Sequence, residues 1–98
     1  MGFNTELLHG TKTGDPVTGA TLTPVYQSSA FFQPSAEQHE KLFHNKAAGY
    51  SYTRISNPTI AAFEERMTVL EKGAASVACA SGMAAITNAL LNIVGSGD

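Results

Sequence analysis

Only one stretch of this chain has the pattern of a core strand. Ala75-Ser76-Val77-Ala78-Cys79-Ala80 is short, small and uncharged, which predicts a strand buried on both faces. It lies between two helical patterns. Before it, Ile60, Phe63, Met67 and Leu70 recur at spacings of three and four; after it, Ile86, Leu90, Ile93 and Val94 share one side. Helix, strand, helix is an α/β order. Sheets usually carry about five or six strands, and a lone strand with two open edges is unstable. The expectation is therefore the beginning of a larger α/β domain whose other strands lie outside these 98 residues.

The element boundaries follow from local chemistry. Asn57-Pro58 is the clearest helix start, because Asn caps well and Pro loses nothing at the first helical position. Gly73 fits the residue just past the end of that helix, and Ser81-Gly82 turns the chain into a second helix over 83–94. Ser35 is a good cap for a short surface helix over 35–46, where only Leu42 and Phe43 supply apolar bulk. Residues 1–35 hold Gly10, Gly14, Pro16, Gly19, Pro24 and Pro34, too many breakers for a regular element. Asp15-Pro16 and Thr18-Gly19 are turn signals, and the run from Val25 to Phe32 suits extended backbone. This arm cannot build its own core and is expected to lie on something else. The predicted organisation is an arm over 1–57 and the start of an α/β domain over 58–98.

Charge and composition remove several classes of function. Net charge is −2, and the six cationic residues are scattered without forming a basic stripe, which argues against a nucleic-acid partner. No apolar run could cross a bilayer, and the N-terminus lacks a secretory pattern. One cysteine leaves no internal disulfide. The expectation is a cytoplasmic protein. Cys79 falls inside the strand pattern and is expected to be a small core residue. His39 and His44 are five apart and share no helix face for a metal, so no metal site is expected.

Two places suit an anion. In extended backbone, residues i and i+2 project from one face, so Tyr52 and Arg54 can point together at a phosphate or carboxylate. Arg supplies a planar fork of donors and Tyr a neutral hydroxyl. The second place is Ala80-Ser81-Gly82-Met83. There a strand-to-helix turn leaves the first helical N–H groups free, the helix dipole favours negative charge, and Gly82 lets the anion approach. Ser81 is either a cap or an additional donor. Each place also has a plainer reading. Arg54 could pair with a surface carboxylate while Tyr52 packs beside the helix, and many strand–turn–helix units bind nothing.

The run Gly49-Tyr50-Ser51-Tyr52-Thr53-Arg54-Ile55-Ser56-Asn57-Pro58-Thr59, followed by Ala80-Ser81-Gly82-Met83-Ala84-Ala85-Ile86, closely resembles the pyridoxal-phosphate (PLP) enzymes of cysteine and methionine metabolism. That family includes cystathionine γ-synthase, cystathionine γ-lyase, methionine γ-lyase and O-acetylhomoserine sulfhydrylase. The segment Leu22-Thr23-Pro24-Val25-Tyr26-Gln27-Ser28-Ser29-Ala30-Phe31 resembles the family's N-terminal portion. Leu70-Glu71-Lys72-Gly73 resembles its L-E-G-G, with Lys72 in place of a glycine. Phe43-His44-Asn45-Lys46-Ala47-Ala48-Gly49 is most similar to the O-acetylhomoserine sulfhydrylases.

The resemblance implies the N-terminal part of a fold type I subunit with PLP as cofactor. It implies that the Gly82 and Met83 N–H groups bind the cofactor phosphate. Tyr52 and Arg54 would reach the same phosphate from a neighbouring subunit, so the working unit would be a homodimer or homotetramer with shared sites. The implied substrate is a small amino acid, O-acetylhomoserine, from which acetate leaves and sulfide gives homocysteine; a γ-lyase or γ-synthase of the same family is the near alternative. The family's cofactor-bearing lysine, the aspartate at the ring nitrogen and the stacking tyrosine match nothing up to Asp98. The 98 residues alone are therefore expected to be inactive, and no catalytic residue is assigned within them.

Overall fold

A computed structural model describes residues 2–12 and 14–98. Among them are four helices: α1 (Phe3–His9), α2 (Ala36–Phe43), α3 (Pro58–Leu70) and α4 (Gly82–Ile93). The described residues contain no strand, only one isolated antiparallel bridge between Ala30 and Tyr52.

The caps form where side-chain chemistry places them. Ser35 Oγ accepts from Gln38 N at 3.1 Å, Asn57 Oδ1 from Thr59 N at 2.8 Å, and Ser81 Oγ from Ala84 N at 3.1 Å. Each satisfies one N–H that the first turn leaves without an internal partner. Pro58 occupies the first turn of α3. The turn signals at 15–19 also hold: Gly19 N donates to Asp15 O at 2.8 Å. Val17 N and Thr18 Oγ1 both donate to the Asp15 carboxylate. Those bonds favour the charged form and hold this carboxyl below its usual value.

Three expectations need correction. Residues 1–35 do include a regular element, α1, which packs on α3. Its glycines flank it, with Gly2 before and Gly10 after, and Gly10 N closes the helix on Glu6 O at 2.8 Å. The breakers bound a helix there instead of preventing one. Second, Gly73 is not the residue just past the end of α3, which stops at Leu70 with Glu71 as its C-cap. Lys72 takes the left-handed conformation (φ 55°), and Gly73 N donates back to Thr68 O at 2.9 Å while Lys72 N donates to Val69 O. This is a Schellman closure, with glycine one position later than predicted. α2 closes the same way on Asn45 (φ 56°), three residues sooner than a helix to residue 46 would require.

Third, residues 75–80 are neither a strand nor buried. Val77 is 82% exposed and Cys79 is exposed. The described residues offer this segment no neighbouring strand, so its backbone finds side chains instead. Ala78 N donates to Glu64 Oε2 at 2.7 Å, and Thr68 Oγ1 meets Ser76 Oγ at 2.8 Å. The segment therefore hangs on α3 before entering α4. The core face expected on α3 is only partly covered: Met67 and Leu70 are half-buried, Ile60 and Phe63 are exposed, and no hydrophobic side chain among the described residues is buried. On α4, Met83, Ile86, Leu90, Leu91 and Ile93 are all exposed.

Candidate anion-binding site

The Tyr50–Thr59 stretch, which ends the arm, is held by the arm's earlier residues. Phe31 N donates to Ser51 O at 3.0 Å and Thr53 N to Ser29 O at 2.8 Å, on either side of the Ala30–Tyr52 bridge. Side chains extend the seam in both directions. Gln33 Nε2 donates to Tyr50 O at 2.7 Å, and His39 Nε2 lies 2.9 Å from Ser51 Oγ. Phe31 and Tyr50 rings meet at 5.8 Å. At the far end, Tyr26 N donates to Thr59 Oγ1 at 2.8 Å, and Thr59 Oγ1 reaches Pro24 O at 3.3 Å. The arm thus has a place to lie within this chain, against the stretch that carries the Tyr and the Arg.

At the middle of the seam is Asn57, 2% exposed. Its Oδ1 caps α3, while its Nδ2 donates to Tyr26 O at 3.0 Å and to Thr53 Oγ1 at 3.1 Å. Thr53 Oγ1 in turn donates to Ser28 O at 2.5 Å. Asn57 thus does more than cap α3, the one role its position predicts. A signal was present: an aspartate would cap as well, whereas only the amide both accepts and donates.

Tyr52 and Arg54 come together, by a different route from the one expected. The backbone is not extended through them. Ile55 N and Ser56 N both donate to Tyr52 O, at 3.0 and 3.1 Å, so the chain turns at 52–56. The turn lays the Arg54 guanidinium over the Tyr52 ring, with Cζ 5.1 Å from the centroid. A cation over an aromatic face is attracted by the ring quadrupole. Both side chains are exposed, Tyr52 at 40%. Among the described residues no carboxylate pairs with Arg54.

Ser81, Gly82 and Met83 form the start of α4. Ser81 Oγ is the cap acceptor, and the ladder begins with Ala85 N donating to Ser81 O at 3.2 Å. The N–H groups of Gly82 and Met83 precede that first bond and are available. The space where a Cβ on Gly82 would lie is open to 4 Å. A phosphate fits this chemistry: free backbone donors, the positive end of a helix dipole, and room beside a glycine. No hydrogen bond, ion pair or ring contact joins this group to Tyr52 or Arg54 among the described residues.

Residues 4–98 match the model of the Cys/Met metabolism PLP-dependent enzyme family. This chain belongs to that family, whose cofactor is pyridoxal phosphate. It is 44% identical over 97 residues to the O-acetyl-L-homoserine sulfhydrylase of Corynebacterium glutamicum, covering 99% of this chain and 22% of that protein. It is 47% identical over 98 residues to the cystathionine γ-lyase of Bacillus subtilis, covering all of this chain and 24% of that one. Its fold matches all 98 residues to 24% of a Campylobacter jejuni protein named for O-acetylhomoserine (thiol)-lyase activity (TM-score 0.88, 33% identity). That structure contains N′-pyridoxyl-lysine-5′-monophosphate. The chain thus spans about a quarter of the length of these relatives. No helix among the described residues is long and apolar enough to cross a membrane.

Proposed function

We propose that these residues are the N-terminal portion of a PLP-dependent enzyme that makes homocysteine from O-acetylhomoserine and sulfide. In this reading the chain supplies two parts of a phosphate cup. Gly82 and Met83 donate backbone N–H groups at the start of α4, with Ser81 fixing the turn. Tyr52 and Arg54 donate from the arm to the corresponding phosphate in a neighbouring copy, so that the sites are shared in a homo-oligomer. The observation that carries the reading is the Tyr52–Arg54 pair: a guanidinium set over a ring, exposed, and without a carboxylate partner among the described residues.

When bound, the cofactor withdraws electrons from the amino-acid substrate and so supplies the chemistry. This chain's own residues bind and orient. Arg54 offers two parallel donors to a phosphate, Tyr52 adds a hydroxyl, and the α4 terminus fixes the anion's position through the backbone. The test is the full-length protein with Arg54→Ala. Losing a charge-assisted contact should weaken PLP retention by about tenfold to a hundredfold. Unchanged PLP affinity would remove the role given to Arg54.

A second reading, γ-elimination, is favoured by the 47% identity to a cystathionine γ-lyase. Rates of homocysteine formation from O-acetylhomoserine plus sulfide, set against rates of cysteine or methanethiol release, separate the two.

A further inference from the structure

Tyr52 and Arg54 are exposed and lie in a turn that sets the guanidinium over the ring. Something must hold the turn, because an exposed Arg otherwise samples many rotamers and loses that freedom on binding. The residue between them is Thr53. Its side chain points inward, half-buried, and both hydrogen-bonding roles of its hydroxyl are used. It accepts from Asn57 Nδ2 at 3.1 Å and donates to Ser28 O at 2.5 Å. Its N–H donates to Ser29 O at 2.8 Å. Asn57 is the most enclosed polar residue of the described chain and has both ends committed, to the α3 cap and to Tyr26 O. These bonds tie two other stretches, residues 26–29 and the start of α3, to the single residue that separates Tyr52 from Arg54.

We propose that Asn57 and Thr53 are positioning residues, forming an amide–hydroxyl–carbonyl relay, anchored on the buried Asn57, that presets the Tyr52–Arg54 clamp for the cofactor phosphate. Neither touches the anion. Their effect is to lower the ordering cost of the groups that do. The proposal rests on the phosphate assignment given above to Tyr52 and Arg54 and adds the device that makes the pair rigid. The choice of residue types supports it. Valine would fill the space of Thr53 without the hydroxyl, and serine would cap α3 at position 57 without donating to Tyr26 O.

The experiment compares binding of pyridoxal phosphate and of pyridoxal, which lacks the phosphate, to the cofactor-free full-length enzyme, read from the cofactor's absorbance. Thr53→Val should weaken pyridoxal phosphate by about tenfold, the scale of one or two lost hydrogen bonds, while leaving pyridoxal unchanged. Thr53→Ser, which keeps the hydroxyl, should restore wild-type binding. Asn57→Ser keeps the α3 cap and should show the same phosphate-selective loss; it carries the test if Thr53→Val does not fold. Equal loss of both ligands, or loss of neither, overturns the relay and leaves these residues a purely structural role. Arg54→Ala is the parallel control. If it shows no phosphate-selective loss, the phosphate assignment itself falls. If it does and the relay variants do not, only the relay falls.

Discussion

At the scale of single residues, Lys72 stands out. A side-chain-bearing residue in the left-handed region costs about 1–2 kcal/mol relative to its right-handed conformation. Lys72 accepts that cost because the Schellman closure of α3 needs this conformation at that position. Glycine would relieve it but would add unfolded-state entropy worth about 0.4–1 kcal/mol. Relief wins, so Lys72→Gly should stabilise by about 0.5–1 kcal/mol, seen as a higher urea midpoint in the full-length protein. A midpoint unchanged or lowered would contradict the left-handed assignment. Asn45, in the same conformation, is a residue type that tolerates it. This strain was half legible in the sequence: Lys72 is visible as a departure from L-E-G-G, but Gly73, not Lys72, is the residue expected just past the helix end. The pairing of Tyr52 with Arg54 was legible for a different reason from the true one. Side-chain alternation presumed a strand, whereas a turn and a cation–π contact bring the two together.

At the scale of elements, the caps were the most legible feature, because a cap depends on one side chain and the N–H groups two or three residues on. Ser35, Asn57 and Ser81 all form as their chemistry dictates. The strand over 75–80 was not realised, because a strand's hydrogen bonds belong to neighbours that these residues do not contain. The seam between the arm and Tyr50–Thr59 was missed for the matching reason: its bonds join residues about 20 to 35 positions apart, and no local pattern encodes them. At α4 the cap and the proposed anion site occupy the same place but make opposite demands on charge. Asp caps about as well as Ser. Ser81→Asp should therefore leave α4 and the melting temperature of the full-length protein nearly intact. Its carboxylate would repel a phosphate at Gly82 and Met83 and should reduce PLP affinity by tenfold or more, roughly 1.4 kcal/mol or above. Undiminished PLP binding in a folded Ser81→Asp protein would place the phosphate elsewhere.

At the scale of the whole molecule, the chain is too open for its length. Its accessible surface is 7925 Å², against about 5,400 Å² for a globule of this mass. Its radius of gyration is 16.5 Å, against about 13 Å for a compact domain of this size. Exposed apolar side chains run along α4, from Met83 to Ile93, and along residues 1–57, where Val17 and Phe32 are more than nine-tenths exposed. The lone-strand pattern had already pointed to an element without partners. What the sequence could not show was that the segment would stay unpaired yet remain attached to α3 through Glu64 and Thr68. Hydrogen bonds of this kind contribute about 0.5–1.5 kcal/mol each, and without a buried core among the described residues they do not offset the conformational entropy of ordering those residues. The isolated 98-residue chain should therefore melt without a sharp heat-absorption peak, bind a hydrophobic dye strongly, and grow in apparent mass with concentration. Within the full-length protein the same residues should unfold with the rest in a cooperative transition. Calorimetry and sedimentation on the two lengths make the comparison. A monomeric 98-residue chain with a sharp transition near the enthalpy of a 100-residue domain, about 60–80 kcal/mol, would show that these helices find a core of their own.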